Sequence, residues 1–207
     1  QYHYPVGRQM NVETTALLIV DLQNDFLHPD GAYGRARQGA AAIAALPARV
    51  VEVADAMRRA GGLVISTQFT LVPGRGGEPM IAPHLKKLRP FLKKGDFAPS
   101  SWGNAMVDEL GNPDFVIEKI AYSAFYMTRL EWVLRKNGIS DLVVAGIVTN
   151  GGVASTVRGA HVLDLHTTVL SDGCAAFSDT AHNSAIADLS TVSDVATCAQ
   201  VTALLGD

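Results

Sequence analysis

The run from Ala16 to Val20, entered through Thr15, is apolar on both faces that a strand presents, and it ends on Asp21. A strand alternates its side chains, so such a run is fully satisfied only in the middle of a parallel sheet covered on both sides. It therefore predicts a central strand of an α/β protein. Its carboxyl end, where open α/β sheets bind ligands, carries Asp21. A carboxylate there is partly desolvated and suited to proton transfer, although turns and helix starts also use aspartate as a cap.

The rest of the chain alternates in the manner such a sheet requires. Ile43, Leu46, Val50, Val53, Ala54 and Met57 recur at helical spacing and predict a helix over residues 40–60, ended by Gly61 and Gly62. A second strand is expected over 63–69, then a connection over 71–94 rich in proline and glycine. A connection of that length in a compact domain is more often a lid or a subunit contact than filler. Its Lys86, Lys87, Lys93 and Lys94 read most simply as a solvated face. A short helix is expected over 101–110 and a strand over 115–119 that ends on Lys119. A helix over 128–137 precedes the strongly β-branched run 141–149, and Asn150, Gly151 and Gly152 follow at once. A strand, a glycine pair and a helix start gather backbone N–H groups suited to a carboxylate or a developing oxyanion, although a glycine pair is also simply a tight turn. A strand over 166–171, a helix over 180–190 and a C-terminal strand with a tail complete the pattern. The fold class predicted is α/β: a single-domain, doubly wound three-layer α/β/α sandwich with a mostly parallel sheet of five or six strands.

Composition excludes several classes. At 207 residues and 48% hydrophobic the chain suits one domain, residues 1–207, with 1–13 as an N-terminal extension. A net charge of −3 gives no basic footprint for nucleic acid and no support for a charge-driven membrane role. No apolar run approaches the roughly 20 residues that span a bilayer, and the start lacks the pattern of a signal peptide, so a cytoplasmic location is expected. Two cysteines, Cys174 and Cys198, argue against a disulfide framework and read as small core residues. The six histidines lack paired spacing, so neither a metal site nor a cofactor is expected.

Three strand ends thus carry usable chemistry: Asp21, Lys119 and the turn at Gly152. The stretches around them are Asp21 to Phe26, Trp102 with Gly103, Lys119 with Tyr122, Ser123, Ala124, Phe125 and Thr128, then Val148, Thr149 and Asn150, then Asp172, Gly173, Cys174 and Ala175. Together, and in this order, they resemble the isochorismatase-like (cysteine hydrolase) superfamily, which includes nicotinamidases and ureidoacrylate and N-carbamoylsarcosine amidohydrolases. The resemblance covers nearly the whole chain and implies the same fold. It implies a triad of aspartate, lysine and cysteine, of which the first two fall on Asp21 and Lys119. The cysteine position falls on Gly152, which has no nucleophile, so a thioester mechanism at this position is excluded. Ser155 and Thr156, one turn on, read as packing or backbone-bonded hydroxyls.

The resemblance further implies that Phe26, Trp102, Tyr122 and Phe125 line a pocket, each with plain core packing as the alternative, and that Val148, Thr149, Asn150 and Gly151 form the substrate turn. It implies a non-proline cis peptide near Val148 and Thr149, and a homodimer or homotetramer acting on a small molecule. Three readings follow. The first is a hydrolase using Asp21 and Lys119 without covalent catalysis, as isochorismatases do when an aspartate protonates a vinyl ether; burial of Asp21 would favour that role and Lys119 would oppose it. The alternative role for Lys119 is to bind a substrate carboxylate or orient water, leaving Asp21 protonated only in the complex. The turn resembles the amidohydrolase branch more than the isochorismatase branch, whose turn carries an aromatic residue and a histidine. The second reading is an amidohydrolase whose cysteine has been replaced, naturally or by engineering, with Gly152. The third is a catalytically silent metabolite-binding protein.

Overall fold

The structure, a computed structural model, describes residues 10–206, so most of the expected N-terminal extension lies outside the described residues. Six strands, β1 (Thr15–Val20), β2 (Leu63–Phe69), β3 (Phe115–Lys119), β4 (Asp141–Ile147), β5 (His166–Ala175) and β6 (Asp194–Ala196), form one parallel sheet in the order β3, β2, β1, β4, β5, β6. The helices are α1 (Asn24–Leu27), α2 (Ala32–Arg35), α3 (Ala41–Ala44), α4 (Leu46–Arg59), α5 (Pro83–Leu88), α6 (Leu130–Lys136), α7 (Ala154–Val162), α8 (Asp179–Leu189) and α9 (Cys198–Leu205). Among the described residues no helix is long and apolar enough to cross a membrane.

Strand β1 is buried along its whole length, and its alternation builds both cores. Leu17 and Ile19 pack with Leu46, Val50, Val53 and Met57 of α4 and Val201 of α9. Ala16, Leu18 and Val20 pack with Leu130, Val133 and Leu134 of α6, Val157 and Ala160 of α7, and Ile186 and Leu189 of α8. Each leucine, isoleucine or valine taken wholly out of water contributes about 1.5–3 kcal/mol, so β1 alone anchors two helical layers. The chain winds outward from β1 to β3 on one side and from β4 to β6 on the other, which places the reversal of strand order between β1 and β4.

Local differences from the sequence expectations have physical causes. The helix expected over 40–60 is interrupted between α3 and α4, because Pro47 in the first turn of α4 has no N–H to continue the earlier ladder. Residues 101–110 form turns and a 3-10 turn at Asp108–Leu110 in place of a helix. There the carbonyls of Trp102, Gly103 and Ala105 accept from the Asn24 side chain, Asp25 N and Asn24 N, so tertiary bonds replace helical ones. The helix start expected after the glycine pair falls at Ala154, after a π-turn at Thr149–Val153. The expected tail is α9, started by a reciprocal cap between Thr197 and Gln200. Gly146 has φ 121°, and a Cβ there would lie 2.0 Å from the Val20 carbonyl oxygen; glycine lets β4 approach the exit of β1.

Candidate active site

Asp21 leaves β1 with φ 56°, a conformation rare outside glycine. Thr67 of β2 holds it there: Asp21 N donates to Thr67 Oγ1 at 3.1 Å, and the Thr67 hydroxyl donates to Asp21 Oδ1 at 2.6 Å. The pairing of Val20 with Thr67 puts that hydroxyl one residue from the carboxylate. On the far side of β2, the pairing of Phe69 with Lys119 brings the lysine to the same sheet edge. Its ammonium reaches across β2, 5.3 Å from the centre of the Phe69 ring, to Asp21 Oδ2 at 2.7 Å. It also donates to the carbonyls of Ala121 at 3.0 Å and Tyr122 at 3.2 Å, which uses all three of its N–H bonds. The side chains of Lys119 and Asp21 are 1% and 6% exposed, so the pair is nearly dry.

The third strand end completes the group. The peptide between Ile147 and Val148 is cis. Gly152 sits in the π-turn without a positive φ, so its backbone does not demand glycine. A Cβ placed on it would lie 3.3 Å from Asp21 Oδ2 and 3.0 Å from the Ile147 carbonyl oxygen, so any side chain at 152 would face the carboxylate. The N–H groups of Gly151 and Val153 both donate to the Val148 carbonyl, at 2.9 and 3.2 Å. The turn therefore offers fewer open donors than its glycines suggest.

Asp21, Lys119, Val148 and Gly152 form the floor of a cavity walled by Phe26, Phe69, Phe97 and Tyr122. Leu85, Leu88, Arg89 and Leu92 of the long connection roof it, so that segment is a cover on the site. Tyr33 and Phe177, with ring centres 5.7 Å apart and nearly parallel, close the side below Arg89. Of the residues singled out from sequence, Asp21, Lys119, Gly152, Phe26, Tyr122 and Val148 line this cavity. Trp102 does not: its ring is half exposed and packs edge-on against His28, 4.9 Å between centres. Phe125 packs against the core beside α7, at Gly159. Thr149 is buried behind the turn, its hydroxyl 2.7 Å from His182 Nδ1, and neither Asn150 nor Gly151 lines the cavity. Thr156 is backbone-bonded as expected, accepting from Ala124 N.

Sequence reasoning missed Thr67, Tyr33, Phe97, Phe177 and Arg89. Thr67 looks like an ordinary β-branched strand residue, and the others lie in segments without periodicity. Asp25, four residues beyond Asp21, has a different role. It is buried and accepts from Ala32 N at 2.8 Å and Phe97 N at 2.7 Å, tying two loops to α1. Neither cysteine lines the cavity, and burial pushes the Cys174 thiol up to about 12 and raises that of Cys198 as well. Such thiols are poor nucleophiles. Among the described residues no group of three or more histidine, cysteine, aspartate or glutamate side chains is arranged to hold a metal ion.

Comparison with known proteins shows the family and the fold. A family model described as "Isochorismatase domain" matches residues 15–202. A protein named ureidoacrylate amidohydrolase RutB from Pantoea ananatis is 35% identical over 172 residues, covering 77% of this chain and 68% of that one. A crystal structure titled as a cysteine hydrolase from Pseudomonas syringae pv. phaseolicola superposes with a TM-score of 0.81 at 24% identity, covering 99% of this chain and 96% of that one. An isochorismatase family protein from Burkholderia thailandensis gives a TM-score of 0.75 at 29% identity, covering 96% and 98%.

Proposed function

This chain belongs to the isochorismatase family of hydrolases, and from that premise we propose that it hydrolyses a small amide or ureide with water, rather than a cysteine thiol, as the nucleophile. The observation that carries this reading is the approach of the Gly152 Cβ direction to within 3.3 Å of Asp21 Oδ2. The place from which a side-chain nucleophile would act is open, and a carboxylate oxygen faces it. The amide or ureide class rests on the name of the Pantoea ananatis relative and on the turn at Val148, Thr149 and Asn150.

Asp21 is suited to the work of a base. Oδ1 accepts from Thr67 and Oδ2 from Lys119, and each oxygen keeps a second lone pair. The ionised form satisfies both donors at once. An acid delivering a proton to an enol ether would instead have to start as a neutral carboxyl beside the Lys119 ammonium at 2.7 Å, so vinyl ether cleavage fits less well. In the step proposed, Asp21 takes a proton from a water beside Gly152 as the water oxygen bonds to the carbonyl carbon. The carbonyl oxygen turns towards the Gly152 N–H, the turn donor flanked by the two already spent. On collapse the C–N bond breaks, and Asp21 returns the proton to the departing nitrogen. Lys119 and Thr67 keep the carboxylate in place throughout.

The test is a mass-spectrometric screen of small amides and ureides against the chain, Asp21→Asn and Gly152→Cys. Conversion by the chain that falls about 10²–10⁴-fold in Asp21→Asn is the expected outcome. Full turnover by Asp21→Asn, or conversion by the Gly152→Cys form alone, contradicts the proposal.

A further inference from the structure

The turn that carries Gly152 is fastened from behind. Thr149, its first residue, is wholly buried, and among the described residues its hydroxyl has one hydrogen-bond partner, Nδ1 of His182 at 2.7 Å. His182 stands in the first turns of α8, a helix started by the Ser178 hydroxyl accepting from Ala181 N at 3.2 Å and seated in the core by Ile186 and Leu189. The imidazole therefore ties the turn to a separate, well-anchored element. Neither Thr149 nor His182 lines the catalytic cavity, so a change at either reaches the substrate only through the turn.

The bonds within the turn leave that tie something to do. The N–H groups of Gly151 and Val153 both end on the Val148 carbonyl, so two bonds share one acceptor. A buried hydroxyl that loses its single partner is costly to leave unpaired, and the backbone bearing it shifts to find another. Gly152, three residues on, would shift with it. Donors that meet a developing oxyanion work only when they stand within about 2.7–3.1 Å of where that oxygen will be, so a small displacement lowers rate more than it weakens binding.

We propose that His182 is a positioning residue: through Thr149 it fixes the turn, and thereby the place of the Gly152 N–H. What that donor does for the reaction rests on the hydrolytic reading; how it is held rests on the hydrogen bond. The half-buried ring of His182 also lines a second, polar cavity with Arg49, Asp172 and Asp179, which shares no residue with the catalytic one. A smaller side chain at 182 thus leaves a gap that water can enter instead of a dry hole in the core.

The test compares His182→Ala, His182→Asn, Thr149→Val and the double variant His182→Ala with Thr149→Val, each checked for its thermal midpoint. The asparagine amide sets a donor or an acceptor where Nδ1 stood, so it can replace the imidazole in either tautomer. Amide hydrogen exchange is followed by NMR at Gly151 and Val153, with the β1 amides reporting global opening, and kcat and KM are measured on the best substrate from the amide and ureide screen. His182→Ala and Thr149→Val should each speed exchange in the turn roughly 10-fold, the loss of about one hydrogen bond, and leave β1 unchanged. Each should lower kcat roughly 10-fold with KM held within about twofold, a split that general destabilisation does not give. The double variant should be no worse than either single one, and His182→Asn should recover most of both effects. Unchanged turn exchange in the single variants, additive losses, an asparagine form that behaves like the alanine form, or a loosened turn with undiminished kcat overturns the proposal. Exchange is read without substrate, so a loosened turn rescued by asparagine alongside full turnover by Asp21→Asn sinks the hydrolytic reading and leaves the anchoring in place.

Discussion

The floor and the roof of the cavity are built in opposite ways. On the floor the side-chain donors are spent, Lys119 on Asp21 and two carbonyls and Thr67 on Asp21, and so are the turn N–H groups of Gly151 and Val153, on Val148. On the roof, Arg89 rests on Tyr33 and Phe177 with N–H groups still open. A saturated floor fixes the position of one carboxylate to within a hydrogen bond, as proton transfer requires. An unsaturated roof is free to select what enters. The contrast teaches that charge inside a cavity is informative only once its partners are counted: two cations line this one, and only one has bonds left for a ligand.

The sharpest way to break the contrast is to unbalance the floor. Lys119→Met leaves Asp21 buried without its counter-charge, and such losses cost about 3–5 kcal/mol, so the denaturation midpoint should fall steeply. A midpoint near that of the parent chain would mean that the pair is not the closed unit described. Asp25→Ala strands the buried N–H groups of Ala32 and Phe97. At about 1–3 kcal/mol for each unsatisfied group, urea titration should show a loss of about 2–6 kcal/mol, of the same order as that of Lys119→Met. Gly152→Ala probes the open position directly. Its methyl would stand 3.3 Å from Asp21 Oδ2 and crowd the Ile147 carbonyl by a few tenths of an ångström. Steady-state rates should fall about 10²-fold through displacement of the attacking water, with little change in stability. Trp102→Ala serves as the control outside the cavity; its stability should move by no more than about 0.5 kcal/mol and its turnover not at all.

The floor was legible in the sequence because its residues sit at strand ends. A run of six buried residues announces β1, and the residue after it must emerge at the sheet edge; the same logic delivers Lys119 from β3 and the Gly152 turn from β4. The helical spacing from Ile43 to Met57 foretold one covering layer, down to the side chains that touch Leu17 and Ile19. The roof was not legible. Arg89, Tyr33 and Phe177 come from three aperiodic segments, and nothing in their spacing tells that they meet. Trp102 was misleading for a physical reason: what its segment supplies is backbone, a carbonyl for the Asn24 side chain, while its ring faces outward. Asp25 shows the converse: a second acidic residue of the same exit, it is marked as structural by its two backbone N–H partners.

The central claim is that Asp21 activates water and forms no bond to the substrate. A single turnover in ¹⁸O-labelled water, on the best substrate from the amide and ureide screen, tests it directly when the peptide containing Asp21 is then weighed. Hydrolysis with no label in Asp21 is the result expected of a base. Label in the Asp21 carboxylate would reveal an acyl-aspartate intermediate and contradict the account.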